Sequence, residues 1–444
     1  MPESIIQLVR LMRSHGAKRF YAKRLAPNDN SKNQVYLGGD FSVLHLIPHG
    51  DIYTDQTTIA GSIRDRSKAN LAFFWVDEQG KYNAPNTQLI LYPKYPEVRM
   101  SGFLKGCRCA PSSLMACRDL GRVLFLGVSD DEIFGYVVSS NHALVKQLDS
   151  HEWETDGVFL KIPAFAEEKE STKTQLLQAL FKVHEKGWIR SQKMNADGSI
   201  SPYQARNGGG YTLEAELGIS PNGHAEPDYM GWEVKQYGVK DFKFFQALSP
   251  VTLMTPEPTG GIYRDLGVTA FISRFGYPDK SGKPDRFNFG GIYACGKDYN
   301  TNTGLKLVID GYDPKTNKIT KVDGVIALVS ARDEVAASWD FNSITTHWSR
   351  KHSQAGYVPS INRQVPPDFF LEYAYGYHFL LCEKTSVFLL LKAIAMGLVY
   401  YDPAIKIENM STRPVSKRRS QFRIKYENLT SLYSYHSIVS ANEG

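Results

Sequence analysis

A chain of 444 residues, 42% hydrophobic, 12% aromatic and 22% charged, exceeds what one hydrophobic core normally organises, and two domains are expected. That composition excludes disorder, collagen and coiled coil as the main state, and the formal net charge of +6 is a mild excess whose placement matters more than its size. The longest apolar stretch, Ser386 to Tyr401, is broken by Lys392 and is shorter than the roughly 20 residues that span a bilayer, so it reads as a buried helix and no membrane partner is expected.

The opening MPESIIQLVRLMRSHG mixes apolar residues with Arg10 and Arg13, unlike a secretory leader, and a cytoplasmic location is expected. From residue 17 to 145 the chain reads as short β-rich runs divided by turn chemistry: RFYAKRL, NQVYLGG, FSVLHLIP, LAFFWVD, TQLILYP, RVLFLGV and IFGYVVS. Such spacing predicts an all-β barrel or sandwich. Cys107, Cys109 and Cys117 fall here, with Cys295 and Cys382 later. An odd number of cysteines without paired two-residue knuckles fits reduced thiols better than disulfides or zinc ligands. The polar run FAEEKESTK marks the domain boundary, giving domains at 1–162 and 175–444 with a linker at 163–174.

Beyond the linker, Gln175 to Gly187 has helical periodicity and Leu213 to Leu217 reads as a short helix. GWEVKQY, FKFFQAL, GVTAFISRF, FNFGGIYAC, LKLVIDGY and GVIALVSA read as strands, and residues 386–397 form a late helix ended by Gly397. The mixture predicts an α/β domain. Charge is locally concentrated. Arg10 to Arg24 holds six Lys or Arg and no acid, and Ser411 to Thr430 holds six against the single Glu427. Such strips suit a nucleic acid backbone, the alternative being a solvated surface.

The most informative segment is Gly208 to Tyr237, GGGYTLEAELGISPNGHAEPDYMGWEVKQY. In a strand Glu233 and Lys235 project to one side, and Trp232 and Val234 to the other. Asp228 lies across a turn at Tyr229 to Gly231, which can return its carboxylate to the same place. Two carboxylates suit a hard divalent cation. With one ammonium beside them they are equipment for phosphodiester hydrolysis, the metal acidifying a water and neutralising charge that Lys235 helps to hold. The triplet alone is weak, since Glu167 to Lys169 spells it again inside the linker. Context lifts the second copy, including Glu214 in the helix upstream.

Thr212-Leu213-Glu214, Leu217-Gly218, Pro227-Asp228 and Glu233-Val234-Lys235, followed by Thr252 to Pro258, resemble the active-site core of the MvaI/BcnI restriction endonucleases, relatives of the mismatch-repair nickase MutH. The resemblance runs from about residue 175 to the C-terminus. It implies a PD-(D/E)xK nuclease fold with a mixed central sheet, Mg2+ as cofactor on Asp228 and Glu233, Lys235 serving the water, and Glu214 completing the acidic cluster.

Phe20 to Leu37, FYAKRLAPNDNSKNQVYL, is similar to the start of the EcoRII-type effector domain, a DNA-binding pseudobarrel. The resemblance implies one DNA-reaching arm at Lys23 to Gln34 and a second at Arg99 to Arg108, with Lys23, Arg24, Asn28, Asn33, Gln34, Lys105 and Arg108 as contacts. In RRSQFRIKY, Phe422 and Ile424 alternate with Arg423 and Lys425, so a strand face can present charge to a groove. Arg413, Arg418, Arg419 and Arg423 are the candidates there, with base edges or phosphates as targets.

The two resemblances together imply a type IIE-like restriction endonuclease that cleaves double-stranded DNA at a short site, CCWGG in expectation. It would act as a monomer by sequential nicking, with the N-terminal domain on a second target copy and a cognate DNA methyltransferase in a prokaryotic host. A MutH-like repair nickase and a non-catalytic DNA-binding regulator are the alternatives. Gly261-Ile262-Tyr263 and Gly291-Ile292-Tyr293 each spell half of another nuclease signature without a partner triplet and read as strand starts, and His224 reads as a loop residue.

Overall fold

A computed structural model describes residues 1–27, 34–59, 62–63, 65–163, 171–205, 207–219 and 227–440. The chain separates into two compact units, Met1–Lys169 with Lys318–Val322, and Glu170–Asn317 with Asp323–Gly444.

The first unit is mostly β. It opens with α1 (Ile5–Ser14), followed by β1 (Arg19–Arg24), β2 (Gln34–Gly38), β3 (Glu97–Ser101), β4 (Val123–Val128) and β5 (Ile133–Val138), among shorter strands. A seven-stranded sheet runs Thr155–Asp156, Phe159–Ile162, β1, β4, β5, Phe73–Asp77, Gly80–Asn83. A five-stranded sheet runs β2, β3, Gln88–Tyr92, Ser67–Asn70, Tyr53–Thr54. The described strands form open sheets and no closed barrel. Every residue of β4 and β5 is buried, as expected for central strands covered on both faces. α1 supplies one cover: Ile5, Leu8, Val9 and Met12 pack with Val123, Phe125 and Phe134.

This helix corrects the all-β reading. Its buried residues recur at helical spacing, and Ser4 caps it by accepting from the Gln7 amide. FSVLHLIP is also not a strand; Phe41 sits at φ 64° and Ser42–His45 forms a 3-10 turn.

In the second unit, α2 (Thr172–Glu185) and α3 (Gly208–Glu216) precede β6 (Glu233–Gly238) and β7 (Val251–Met254). Then come α4 (Phe341–Lys351), β8 (Gln354–Val365), β9 (Phe370–Tyr375), β10 (His378–Glu383), α5 (Val387–Ala395), β11 (Val399–Tyr401), β12 (Phe422–Ile424) and β13 (Tyr435–Ser440). The central sheet is mixed. β6 runs parallel to the first half of the long β8, while β9 and β10 pair with β8 antiparallel and β13 extends the sheet beyond β10. Leu176, Leu180 and Val183 of α2 and Leu213 of α3 pack with Val234, Val358 and Phe379 in one core. Burying one face of β6 in this way commits its alternate residues to the opposite face.

Four strand readings in this unit are corrected. GVTAFISRF folds as a helix, Gly267–Phe275, because Phe271, Ile272 and Phe275 are buried together at helical spacing. FKFFQAL is a loop, closed by a bridge between Val239 and Ala247 and braced by the Asp241 carboxylate accepting from the amides of Lys243 and Phe244. Gly261 precedes a short helix at Ile262–Asp265, and Gly291 follows rather than starts a strand at Arg286–Gly290. The apolar stretch from Ser386 divides into α5 and β11. No helix among the described residues is long and apolar enough to cross a membrane.

Candidate active site

β6 is entered through a two-residue hairpin turn. Tyr229 and Trp232 exchange backbone hydrogen bonds of 2.9 and 2.8 Å, and Met230 and Gly231 between them hold φ of 47° and 88°. Two successive positive φ values define a tight turn of the primed type, where glycine is at ease and methionine is not. The turn reverses the chain so that Asp228 Oδ2 accepts from the Val234 amide at 3.0 Å. Asp228 is thereby tied to the strand that carries Glu233 and Lys235.

Trp232 and Val234 point into the core, at 0% and 5% exposure. Glu233, at 1%, is as buried as they are, on the other side, with the Lys235 Nζ 2.5 Å from its Oε1. A second ammonium also arrives there. Lys351, the last residue of α4, places its Nζ 3.4 Å from Glu233 Oε1 and 3.9 Å from Asp228 Oδ1. Glu233 Oε2 is buried without a hydrogen-bond partner among the described residues. An unpaired buried carboxylate oxygen forfeits about 1–3 kcal/mol or more, so a site that keeps one is arranged for something other than its own stability.

α3 brings the third acid. A Cβ at Gly208 would stand 2.4 Å from Ser191 Oγ, and one at Gly209 would stand 3.0 Å from the Gln236 side chain. Glycine leaves room for this close approach to β6 and β9, and the Tyr375 hydroxyl fixes it by donating to the Gly209 carbonyl at 2.7 Å. Glu214, one turn further along α3, then lies within the field of Asp228, Lys235, Lys351 and Glu233.

The electrostatics follow from burial among like charges. Burial, with the Asp228 charge, pushes Glu214 up to about 7. Burial also raises Glu233 despite Lys235 beside it. For Lys235 burial acts to lower the pKa, but the Glu233 charge and hydrogen bond, with Asp228 and Glu214, outweigh it and leave the ammonium raised. His347, one turn before Lys351 on α4, is pushed down to about 4 by burial and by Lys351 and Lys235. It stands as a neutral imidazole at pH 7.

α4 is held at both ends. Its N-cap Asp340 accepts from the Ser343 amide at 2.8 Å. Trp348 donates to Thr385 at 3.1 Å and stacks on the buried His352, which contacts the Leu253 carbonyl at 3.1 Å. Lys351 lies between these two anchors. Neither Lys351 nor His347 carries a motif, and only the packing of α4 against the site reveals them.

No group of three His, Cys, Asp or Glu side chains is gathered for a metal among the described residues. The fit of a divalent cation rests instead on the pair Asp228 and Glu233 and on the unpartnered Glu233 Oε2. Mg2+ is commonly held by one or two carboxylates, with water and substrate phosphate completing its shell, so this donor set suits it.

Of the candidate DNA contacts in the first unit, Asn28 and Asn33 lie outside the described residues. Lys23 is a correction: it is 5% exposed within β1, its ammonium donating to the Arg24 carbonyl, and it is not presented outward. Arg24 is half exposed and paired with Asp149 at 2.5 Å. Gln34 accepts from Arg99 at 3.5 Å, while Lys105 and Arg108 are exposed. In the second unit β12 buries Phe422 and Ile424 as the alternation predicts. Arg423 on the opposite side is engaged, donating to Asp402 and to the Pro250 carbonyl at 2.7 Å each. Arg413 and Arg419 are exposed, and Arg418 is half exposed with Glu257 3.8 Å away. All five cysteines are free thiols. His224 lies outside the described residues, as do Glu167 to Lys169.

A model of the MvaI/BcnI restriction endonuclease family matches residues 177–433. Among solved structures, the restriction endonuclease MvaI in complex with its cognate DNA substrate is similar at 17% identity, over 62% of this chain and 100% of that one, with a TM-score of 0.45. The same enzyme in the absence of DNA is similar at 16% identity over the same shares, with a TM-score of 0.33. No curated protein matches the chain.

Proposed function

The chain belongs to the MvaI/BcnI restriction endonuclease family, and from that premise we propose that it is a Mg2+-dependent type II endonuclease whose catalytic groups are Asp228, Glu233, Lys235 and Glu214. The observation that carries this reading is the buried carboxylate of Glu233, one oxygen shared by two ammonium groups and the other left without a partner. A buried carboxylate oxygen left without a partner is costly to a fold and characteristic of a site that awaits a ligand.

Asp228 and Glu233 would hold the cation, which when bound supplies Lewis acidity and lowers the pKa of an attacking water. Lys235, kept protonated by the acids around it, orients that water by donation and offsets negative charge gathering on the phosphate. Glu214, whose raised pKa lets it exchange a proton near pH 7, would take up the proton released. The turn at Met230 and Gly231 and the glycine contact of α3 fix these groups before substrate arrives, which limits reorganisation during the reaction.

The substrate is double-stranded DNA at a short site, CCWGG in this proposal. One catalytic set per chain requires either reorientation on the site or a second copy of the chain, and in this proposal a monomer reorients and cuts the two strands in succession. The first unit would act as an EcoRII-type effector domain of pseudobarrel kind on a second copy of the target, with exposed Lys105 and Arg108 as contacts. In the catalytic unit exposed Arg413, Arg418 and Arg419 take that role, and Arg423 braces β12.

The test is digestion of a mapped plasmid with and without Mg2+, followed by sequencing of the ends. Linear product with uniform ends at one sequence is expected, and nicking alone or random ends would overturn the assignment. Lys235→Ala should reduce cleavage by at least about a thousandfold while specific binding persists. Retained cleavage removes Lys235 from the mechanism.

A further inference from the structure

Lys351 is the residue of this site that the family reading leaves without a task. Of the two ammonium groups on Glu233, Lys235 meets only that acid within ion-pair distance among the described residues, whereas Lys351 meets both Glu233 and Asp228. Its charge therefore occupies the space between the two carboxylates proposed to hold a divalent cation. A cation entering there would meet an ammonium at close range, in surroundings where the nearly complete burial of Glu233 weakens screening. Both cannot remain.

The side chain has a way out. α4 anchors the Lys351 backbone through Trp348 and His352 on either side, but the side chain is 24% exposed, against 1% for Glu233. It can swing toward solvent on its flexible stem, where a duplex would bring phosphates. A phosphate diester gives the displaced ammonium a new anionic partner; bulk water gives it none.

We propose that Lys351 is the internal counter-cation of the metal-free site and that its displacement couples divalent-cation binding to DNA binding. The proposal rests on the reading of Asp228 and Glu233 as the cation's holders. In the free protein Lys351 neutralises the acids and keeps cation affinity low. With a duplex present it transfers to phosphate and the acids become available. Linkage makes the effect reciprocal: DNA strengthens cation binding by the same factor as the cation strengthens DNA binding.

The experiment is calorimetric titration of Mg2+ into the full-length protein without DNA, comparing wild type with Lys351→Met, Lys351→Arg and Asp228→Asn, each checked for folding by thermal melting. Lys351→Met keeps the length of the stem and loses the charge. It should bind Mg2+ about tenfold more tightly than wild type, while Lys351→Arg keeps the weak affinity. In a second arm, duplex affinity is measured by fluorescence anisotropy in Ca2+ and in EDTA. The ratio of the two affinities should fall about tenfold in Lys351→Met. Unchanged or weaker Mg2+ binding by folded Lys351→Met overturns the counter-cation role, with Lys351→Gln as the replacement should Met not fold. An unchanged Ca2+ to EDTA ratio overturns the coupling. Asp228→Asn separates this failure from that of the underlying reading: if it binds Mg2+ like wild type, the carboxylates are not the holders, whereas if it loses Mg2+ and Lys351→Met is unchanged, only the inference about Lys351 falls.

Discussion

Each unit buries an acid almost completely, and the two are treated in opposite ways. Asp55 in the first unit is 2% exposed. It accepts from the amide and hydroxyl of Thr57 and from Arg66 at 2.5 Å, with Lys68 3.2 Å away. Burial acts to raise its pKa, but these hydrogen bonds outweigh it and hold the carboxyl well below the usual range. Glu233 is 1% exposed, yet burial wins, its pKa is raised and one oxygen has no partner. A fully partnered buried acid is architecture. One left short of partners holds free energy that a ligand can release.

The largest separation between the two should come from removing each charge. Glu233→Gln is expected to lower DNA cleavage by at least about a thousandfold while leaving the melting temperature of the metal-free protein unchanged or raised, because a buried charge is relieved. Asp55→Asn should do the reverse. Leaving Arg66 and Lys68 without their buried counter-charge should destabilise the first unit by about 3–5 kcal/mol, read by denaturant unfolding. Its pH dependence has a definite sign. A depressed folded pKa gives stability that is present above the unfolded value of about 3.9 and lost as pH falls through the folded value. The gap between wild type and Asp55→Asn should therefore be full at pH 6 and narrow below about pH 4. A Glu233→Gln protein as destabilised as Asp55→Asn would erase the distinction.

A smaller contrast tests the arginines of the C-terminal strip. Arg423, held by Asp402 and the Pro250 carbonyl, braces β12 between β7 and β11. Arg423→Ala should cost about 2 kcal/mol of stability. Arg419→Ala, altering an exposed residue, should leave stability within about 0.5 kcal/mol and weaken DNA binding uniformly across sequences, reducing the salt slope by about one. Equal effects on stability would show that engaged and exposed arginines here are not distinct.

The sequence makes the core of the site legible because its geometry is local. A two-residue period places Glu233 and Lys235 on one face, and Asp228 is returned by a turn only a few residues long. Lys351 was invisible for the opposite reason. It comes from the end of a helix far downstream, and nothing local to that helix says which face meets β6. The glycine run at Gly208 to Gly210 is plain in the sequence, but its purpose appears only once Ser191 and Gln236 crowd it. Alternation at Phe422 to Lys425 gave the outward side of β12 without disclosing Asp402, so Arg423 read as available. Lys23 failed similarly: a basic residue in a basic strip looks exposed until β1 is seen paired on both edges. In Gly267–Phe275 the aromatic and β-branched composition favours a strand, whereas the burial of Phe271, Ile272 and Phe275 at helical spacing makes it a helix.

Glu214 is a third acid, whose pKa is raised into the neutral range. Its pKa of about 7 is set by burial and then by Asp228, so at pH 8 the folded protein carries a charge its surroundings disfavour. For a carboxyl raised in the fold the sign is opposite to that of Asp55. Below the unfolded value of about 4.3 both states are protonated and no penalty exists; it grows as pH rises and is complete above about 7. Glu214→Gln, measured in EDTA, should match wild type in stability near pH 4 and exceed it by about 3–4 kcal/mol at pH 8. Holding a divalent cation beside Asp228 and Glu233 should lower the Glu214 pKa and shrink that gap. A gap that ignores pH would mean that Glu214 is not within the field of these acids, and it would then leave the catalytic set while Asp228, Glu233 and Lys235 remained.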